Sequence, residues 1–150
     1  MPIFNYEVQI NASPDKVFAY ITEFQNHAAW YEYAWRVETV SGGETRLGSQ
    51  FRSVGDDPFG KQTPNEITVT EFEAPARFCF QCTDPRFPNP TLNEFTLKEQ
   101  AGGTLLQRTF TSNPGFPFNL IFSLILEPFQ GRPSMLRSMN KIKAHLEASA

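Results

Sequence analysis

The feature that most constrains the fold of this chain is a Gly-Gly turn near the C-terminus, followed by one strand and one strongly apolar segment. Gly102 and Gly103 open a run rich in Thr and Phe that ends at Thr111 and has the pattern of a β-strand. After a Pro/Gly break, residues 116–129 form a segment too apolar for a helix that faces water alone. This order predicts a sheet closed by a long apolar helix, with a cavity between them.

Length and charge predict one soluble domain. A chain of 150 residues is most simply a single domain over residues 1–150, and it can bury roughly 70% of its unfolded surface. The formal net charge is −3 and the basic residues are scattered, which argues against a nucleic-acid partner. The N-terminus lacks the pattern of a signal peptide, and the longest apolar run is about half of what a bilayer span requires. We therefore expect a cytoplasmic protein without an integral membrane segment.

Phenylalanine is unusually frequent in this chain, with 15 copies. Each ring buries a large apolar area, so a small domain uses this many either to fill a large core or to line a pocket. The composition leaves both alternatives open.

The two cysteines, Cys79 and Cys82, have C-x-x-C spacing. The residues around them alternate as in a β-strand, and positions three apart on a strand point to opposite faces. No second Cys or His pair completes a metal site. The sequence therefore predicts free structural thiols, with no metal and no cofactor.

Seven segments predict β-strands and three predict helices. The predicted strands are residues 3–11, 35–40, 48–54, 65–72, 77–83, 92–98 and 104–112. The predicted helices start at the capping motif Ser13-Pro14-Asp15, span residues 25–31, and run from 116 to 148. Pro128, Gly131 and Pro133 predict a kink or a break in the last helix. This order predicts an α+β fold in which a curved, seven-stranded antiparallel sheet wraps around a long C-terminal helix, with two short helices after the first strand.

Six motifs, in this order, are similar to those of one known superfamily. They are INASPDKVF at 10–18, FQNHAAW at 24–30, TRLGS at 45–49, VTEFEAPARF at 69–78, AGGT at 101–104 and IKAHLE at 142–147. With them the chain resembles, over essentially its whole length, the START-related SRPBCC superfamily of polyketide cyclase/dehydrase-like proteins. The resemblance implies the helix-grip fold shared with the birch-pollen allergens. It also implies binding of a hydrophobic small molecule and leaves catalysis open, because members include lipid carriers, hormone binders, aromatase/cyclases and quinone-associated proteins.

The predicted cavity has apolar walls and an aromatic mouth. The predicted wall residues are Phe78, Phe80, Phe95 and Leu97 of the sheet, with Leu120, Leu124 and Met139 of the last helix. The predicted mouth consists of Trp30, Tyr31 and Tyr33, the turn 56–60 and the Pro-rich loop 85–90. An aromatic pocket with few polar anchors is typical of apolar ligand sites, although a filled core would use the same residues.

Arg108 is the polar residue on which the functional interpretation depends most. Leu106, Arg108 and Phe110 share one face of the last strand, so Arg108 faces the cavity if the other two do. A buried guanidinium then needs a partner, either a protein carboxylate or a carboxylate or enolate of a ligand. In the reversed register Arg108 is a surface residue. Tyr6 shares a face with Phe4 and offers its hydroxyl to the same space, either to a ligand or at the rim of a filled core. We count Tyr6, Arg108 and Phe110 among the predicted ligand contacts.

Residues suited to catalysis are few. The chain has no G-x-S-x-G motif, and its two histidines are His27 and His145. We expect His145 to be solvated at the end of the last helix, and His27 to lie at the surface near the mouth. A role of His27 as a general acid or base is the alternative. Glu71 and Glu73 are expected to be solvated at a strand end.

These features support three functional hypotheses. The leading hypothesis is a non-catalytic protein that binds a lipid, isoprenoid, quinone or polyketide-like molecule. The second is an enzyme of the aromatase/cyclase or dehydratase type, which requires several polar groups in the pocket, here Arg108, Tyr6 and His27. The third is a protein-interaction module with a vestigial cavity. A monomer and a homodimer are both compatible with the sequence.

Overall fold

In the computed structural model, the described residues, 2–32, 36–55 and 64–148, form one sheet and a long C-terminal helix. The strands are β1 Ile3–Ile10, β2 Arg36–Thr39, β3 Gln50–Val54, β4 Asn65–Glu73, β5 Arg77–Thr83, β6 Thr91–Gln100 and β7 Gly103–Thr111. The helices are α1 Pro14–Thr22, a 3-10 turn Phe24–Asn26, α2 His27–Trp30, α3 Phe118–Ile121, a π-helical segment Phe122–Gly131 and α4 Arg132–Ala148. We call residues 118–148, which are helical without interruption, the C-terminal helix.

The seven strands form one antiparallel sheet in the order β1-β7-β6-β5-β4-β3-β2. Each of the strands β2 to β6 pairs with the next strand along the chain, while β1 pairs with β7. The predicted α+β helix-grip architecture is confirmed, and the observed strands match the predicted ones within two residues at each end.

The Gly-Gly turn joins β6 to β7 and lets β7 pack closely on β1. Gly102 has a φ of +76°, which an L side chain adopts only with strain. Gly103 lies so close to β1 that a Cβ atom would collide with the carbonyl oxygen of Ile10. The feature that opened the sequence argument therefore determines how the last strand joins the first.

The first helix begins as its capping motif predicts. The Ser13 side chain accepts a hydrogen bond from the Lys16 backbone N–H, and Pro14 occupies the first turn. Val17, Phe18 and Ile21 form the buried stripe of this helix. The stripe anchors α1 on the inner face of the sheet, where the Phe18 ring lies 5.2 Å from that of Phe72.

A break, one of the two predicted alternatives, does not occur in the C-terminal helix; a kink stays a prediction. Pro128 lies inside the π-helical segment, and the backbone N–H of Arg132 bonds to the carbonyl oxygen of Glu127, five residues before it. A π-turn is wider than an α-turn, and this wider winding accommodates the proline ring without ending the helix. The irregularity is therefore a change of helical winding rather than an interruption. None of the described helices has the length and hydropathy needed to cross a membrane.

The two cysteines lie on opposite faces of β5, as predicted. Cys82 packs beside the core on the inner face, and Cys79 lies next to Glu71 and Arg77 on the outer face. Both thiols are free. Burial raises the pKa of each thiol to about 11, so neither is an activated nucleophile.

Candidate functional site

Arg108 lies inside the molecule, as the first of the two sequence registers predicts. Its position on β7 is opposite Tyr6 of β1 on one side and Phe95 of β6 on the other. The residue is 2% exposed. The pairing of β7 between β1 and β6 thus places a guanidinium group on the inner face of the sheet, one strand away from the edge strand β1.

The polar partner of Arg108 is an uncharged amide. Nε and Nη2 donate hydrogen bonds to Oδ1 of Asn93, at 3.2 and 2.6 Å, and Asn93 is itself buried. Nη1 has no hydrogen-bond partner among the described residues. No carboxylate of the described ranges lies within ion-pair distance of this guanidinium. Burial lowers the pKa of Arg108, because the positive charge has lost its water.

Three aromatic rings surround the Arg108 guanidinium. Its Cζ atom lies 5.7 Å from the ring centroid of Trp30, 5.4 Å from that of Tyr31 and 5.3 Å from that of Phe95. Cation–π attraction contributes on the order of 1–2 kcal/mol at desolvated sites. The rings lessen the cost of the buried charge but do not replace a counter-anion. Trp30 Nε1 is a second buried donor without a partner.

A second polar group joins β1 to the C-terminal helix. The Tyr6 hydroxyl donates a hydrogen bond of 2.9 Å to Oε1 of Glu127, which is buried. Arg132 Nε lies 3.5 Å from the same carboxylate oxygen, and Arg132 Cζ lies 5.1 Å from the centroid of the Tyr6 ring. Burial, followed by the hydrogen bond to Glu127, raises the pKa of Tyr6, so the phenol stays protonated.

A cavity of about 440 Å³ lies beside these two polar groups. Its lining residues are Asn5, Tyr6 and Glu7 of β1, Thr96 of β6, Gln107, Arg108 and Thr109 of β7, and Arg132 and Leu136 of α4. Tyr6 and Arg108 are predicted site residues, and the structure brings them together at this cavity. Volumes of roughly 300–1,000 Å³ are usual for small-molecule sites.

The sheet residues predicted as walls lie elsewhere in the same core. Phe78, Phe80, Phe95 and Leu97 are buried, and Met139 of α4 packs with them. None of these five lines the 440 Å³ cavity. Phe110 is half-buried at the edge of the same core. A contact of these residues with a ligand stays a prediction.

The predicted orientation of Leu120 and Leu124 is wrong. These side chains are 53% and 69% exposed and point away from the sheet. The reason is Glu127, whose bond to Tyr6 turns its own side of the helix inward. An α-helix would place Leu124, three residues before Glu127, on the side of Glu127. The wider π-helical winding of Phe122–Gly131 instead aligns Ser123 with Glu127, so Leu124 and Leu120 lie on the outer side.

The expectation of a surface position for His27 is also wrong. His27 is 4% exposed and its ring lies 4.7 Å from that of Trp30 and 5.1 Å from that of Tyr31. The residues around His27 are aromatic, and α2 packs them against the core on the inner face of the sheet. Burial, with the charge of Arg108 as a second cause, lowers the pKa of His27 to about 3. His27 is therefore neutral at pH 7, whereas His145 is exposed as predicted.

Part of the predicted mouth can be located. The loop 85–90 is exposed, and Asn89 Nδ2 donates to the carbonyl oxygen of Asn113 at 3.1 Å. Tyr33 and the turn 56–60 lie outside the described residues.

Sequence reasoning missed Asn93, Glu127 and Arg132. Glu127 carries the only charge between residues 113 and 131, and a lone carboxylate in such an apolar segment signals a buried partner. Asn93 alternates with Phe95 on β6 and so shares its inward face. Among the residues that the structure describes, no group of three His, Cys, Asp or Glu side chains is placed to hold a metal ion.

Comparison with known proteins gives a family match and structural neighbours. The model of a family described as "Polyketide cyclase / dehydrase and lipid transport" matches residues 1–147. A comparison with curated proteins finds no significant match.

Three solved structures illustrate the structural similarity. TTHA0849 from Thermus thermophilus is 16% identical at a TM-score of 0.78, covering 99% of both chains. The di-domain ARO/CYC protein StfQ of the steffimycin biosynthetic pathway is 11% identical at a TM-score of 0.76, covering 98% of this chain and 51% of StfQ. Ms6760 from Mycobacterium smegmatis is 19% identical at a TM-score of 0.70, covering 99% of this chain and 92% of the other. At these identities the similarity establishes the fold alone.

Proposed function

Because the chain belongs to the polyketide cyclase/dehydrase and lipid transport family, we propose that it binds a hydrophobic small molecule that carries one anionic or strongly accepting oxygen. The ligand is a lipid, isoprenoid, quinone or polyketide-like molecule, and the protein holds it without chemical change. The observation that carries this proposal is the buried Arg108 guanidinium at the cavity, with Nη1 unpartnered among the described residues.

The charge at Arg108 supports an anionic group on the ligand. A buried charge is costly unless it is paired, and Asn93 supplies only a dipole. A ligand oxygen that accepts from Nη1 would supply both the missing hydrogen bond and the missing negative charge. We propose this oxygen as the polar end of the ligand.

The polarity of the unpartnered groups supports the same ligand class. Arg108 Nη1 and Trp30 Nε1 are both donors, and the Trp30 ring lies 5.7 Å from Arg108 Cζ. The Tyr6 hydroxyl already donates to Glu127. The local excess of donors favours a ligand with an acceptor, such as a carboxylate, an enolate or a quinone carbonyl.

A non-catalytic role is supported by the state of the reactive groups. Tyr6 and both thiols have raised pKa values, and the pKa of His27 is about 3. Each is thereby held in its neutral form at pH 7. The free thiols of Cys79 and Cys82 also support the cytoplasmic location that we propose.

Paired ligands test the proposal directly. The probes are palmitate and hexadecanol, which share one chain and differ in the charge of the head group, and the measurement is calorimetric titration of each into the purified protein. We expect palmitate to bind about tenfold more tightly, because hydrogen bonds to charged groups contribute roughly 1.5–3 kcal/mol. Arg108→Met should abolish this preference and leave hexadecanol binding unchanged.

A control variant separates the site from general charge. Arg52→Met removes an exposed arginine of β3 that pairs with Glu66, away from the cavity. It should retain the preference for palmitate. Equal binding of both probes to the wild-type protein, or an equal loss of preference in both variants, would contradict the proposal.

An enzyme of the aromatase/cyclase or dehydratase type is the second candidate. The Tyr6–Glu127 pair favours it, because Tyr6 and the Arg108 guanidinium line one cavity and the Glu127 carboxylate accepts a hydrogen bond from the Tyr6 hydroxyl. In this reaction Glu127 takes a proton from the carbon beside a ligand carbonyl. The electron pair of the broken C–H bond moves to the carbonyl oxygen, which becomes an enolate paired with Arg108.

Hydrogen–deuterium exchange distinguishes an enzyme from a binding protein. A 1,3-diketone such as 2,4-dodecanedione is followed by proton NMR in D₂O with and without the protein. Accelerated loss of the signal of the carbon between the two carbonyls, abolished by Glu127→Gln, would establish proton abstraction. An unchanged exchange rate with demonstrable binding supports the non-catalytic proposal.

A further inference from the structure

The N-terminal half of the C-terminal helix, with Phe116 just before it, presents a continuous apolar surface to the outside. Its members, which we call the apolar face, are Phe116, Phe118, Leu120, Ile121, Leu124, Ile125 and Phe129, between 44% and 81% exposed. Aromatic side chains offer roughly 150–250 Å² each. The face therefore exposes several hundred Å², at or above the roughly 300–600 Å² of the largest apolar patch on a typical monomer.

The inner side of the same helix fixes this orientation. Glu127 is buried on Tyr6, and the Phe122 ring lies 5.7 Å from that of Phe4. Asn119 and Ser123 are only half exposed, on the side of Glu127. The helix is thus amphipathic, with its polar stripe turned inward. A rotation of the helix that buried Leu124 would break the hydrogen bond between Tyr6 and Glu127.

The width of the apolar face indicates what covers it. Leu120 and Ile121 are both exposed, and so are Leu124 and Ile125. Successive residues point in directions about 100° apart in an α-helix, and somewhat less far apart in the wider π-helical segment, so the exposed residues span a broad sector of the helix surface. One partner helix covers only the narrow stripe of a coiled-coil seam. The acyl chains of a lipid layer, by contrast, can surround a broad and convex apolar surface.

The distribution of charge around the apolar face also fits a lipid surface. Within residues 113–131 the one charged side chain, Glu127, is buried, so no carboxylate of the apolar face would meet lipid phosphates. Two guanidinium groups flank the face: Arg132 follows it, and Arg86 lies in the loop 84–90 that contacts residues 113–115. Arg86 pairs with Asp84 and Arg132 with Glu127, so both are only partly available to phosphates. Phe87, 41% exposed, continues the apolar surface on that loop.

We propose that the apolar face docks this protein on the surface of a phospholipid bilayer. The C-terminal helix lies along the interface, with its phenylalanine, leucine and isoleucine side chains among the acyl chains and the arginines at head-group level. Apolar insertion rather than net charge drives the contact, since the chain carries a net charge of −3. The proposal does not depend on the ligand of the cavity, although Arg132 and Leu136 of the same helix line that cavity.

Flotation with vesicles of uncharged phosphatidylcholine tests the docking of the full chain. We expect the wild-type protein to float with the vesicles at 0.1 M and at 0.5 M NaCl, because charge screening does not weaken apolar insertion. Leu124→Gln with Phe129→Gln should lower the partition coefficient by about tenfold or more, from the lost apolar transfer of two side chains. Both positions are exposed, so the thermal midpoint should stay unchanged.

A matched control changes exposed apolar residues elsewhere. Val40 and Leu47 are 53% and 64% exposed and lie in the β2–β3 region, and Val40→Gln with Leu47→Gln should leave flotation intact. Failure of the wild-type protein to float overturns the proposal. So does a dimer in sedimentation velocity that only the Leu124/Phe129 variant dissociates, since the face would then bind a second copy. Loss of flotation at high salt would show docking by charge and would also overturn it.

Discussion

At the scale of single residues, Arg108 combines a position that the strand pattern predicts with surroundings that the pattern does not predict. The alternation of Leu106, Arg108 and Phe110 fixes which side chains share a face, and the pairing of β7 between β1 and β6 makes that face the concave one. The neighbours of the guanidinium come from the preceding strand β6 and from α2, which is far away in the sequence. Its amide partner Asn93 therefore could not be predicted from β7 alone.

The buried charge of Arg108 leads to a prediction about stability. Arg108→Met keeps much of the side-chain volume and removes an unpaired buried charge, so we expect the free energy of unfolding to rise by about 1–3 kcal/mol. Urea unfolding measures the change, and Asn93→Leu in the same background tests whether the amide was held only by the guanidinium. A loss of stability above 1 kcal/mol would instead assign Arg108 a structural role.

His27 makes stability depend on pH. In the unfolded chain its pKa is near the usual 6.5, and in the folded protein it is about 3. Between these values the unfolded state binds more protons, so the stability present above pH 6.5 is lost as the pH falls. From pH 7.5 to pH 5 we expect the free energy of unfolding to drop by about 2 kcal/mol.

Urea unfolding of the wild-type protein and of His27→Leu at both pH values isolates this effect. The variant should lose much less stability than the wild type over the same interval, since pH 5 lies above the ordinary pKa of the carboxylates. Parallel losses in both proteins would mean that the His27 imidazole is protonated in the folded state.

At the scale of elements, strands were more predictable than the last helix. Each strand has period-two alternation and a turn at each end, which determine its bounds and its faces. For the C-terminal helix, the apolar spacing of Leu120 and Leu124 correctly groups these residues on one side. It does not say that this side faces outward, because that depends on the bond between Tyr6 and Glu127, 121 residues apart in the sequence.

The Tyr6–Glu127 bond leads to a prediction for the helix as an element. Glu127→Leu leaves the buried Tyr6 hydroxyl without its acceptor, so we expect a loss of about 1–3 kcal/mol in the free energy of unfolding. Amide hydrogen exchange should become faster in residues 118–131 and stay unchanged near Ile142, which is buried independently.

A surface glutamate provides the comparison. Glu66→Leu breaks an exposed pair with Arg52, which should contribute little to stability, and should leave exchange in residues 118–131 unaltered. Equal effects of the two variants would argue against a special role of Glu127 in holding the helix on the sheet.

At the scale of the whole molecule, the fold follows from the order of the elements, but the cavity does not. Seven strand patterns and one long helical pattern predict the α+β helix-grip architecture, which the structure confirms. The family match covers residues 1–147. The sequence could not distinguish a filled core from a lined pocket. The structure contains both, since the phenylalanines of β5 and β6 pack together while the cavity borders Tyr6, Arg108 and Arg132.

Ligand binding to that cavity should be visible as a gain in global stability. A ligand that binds only the folded state at 100 times its Kd raises the free energy of unfolding by about 2.7 kcal/mol. We expect palmitate to produce such a gain in thermal unfolding of the wild-type protein and a much smaller one in Arg108→Met. The same gain in both proteins would place the carboxylate away from Arg108.

The pairing of β1 with β7 also has a consequence for the time at which the site forms. Strands β2 to β7 can associate as successive local hairpins while the chain is synthesised, but β1 must wait for a partner about a hundred residues downstream. Tyr6 meets Arg108 and Glu127 only after this closure. During synthesis on the ribosome, the cavity should therefore be among the last parts of the molecule to assemble, after most of the sheet that frames it.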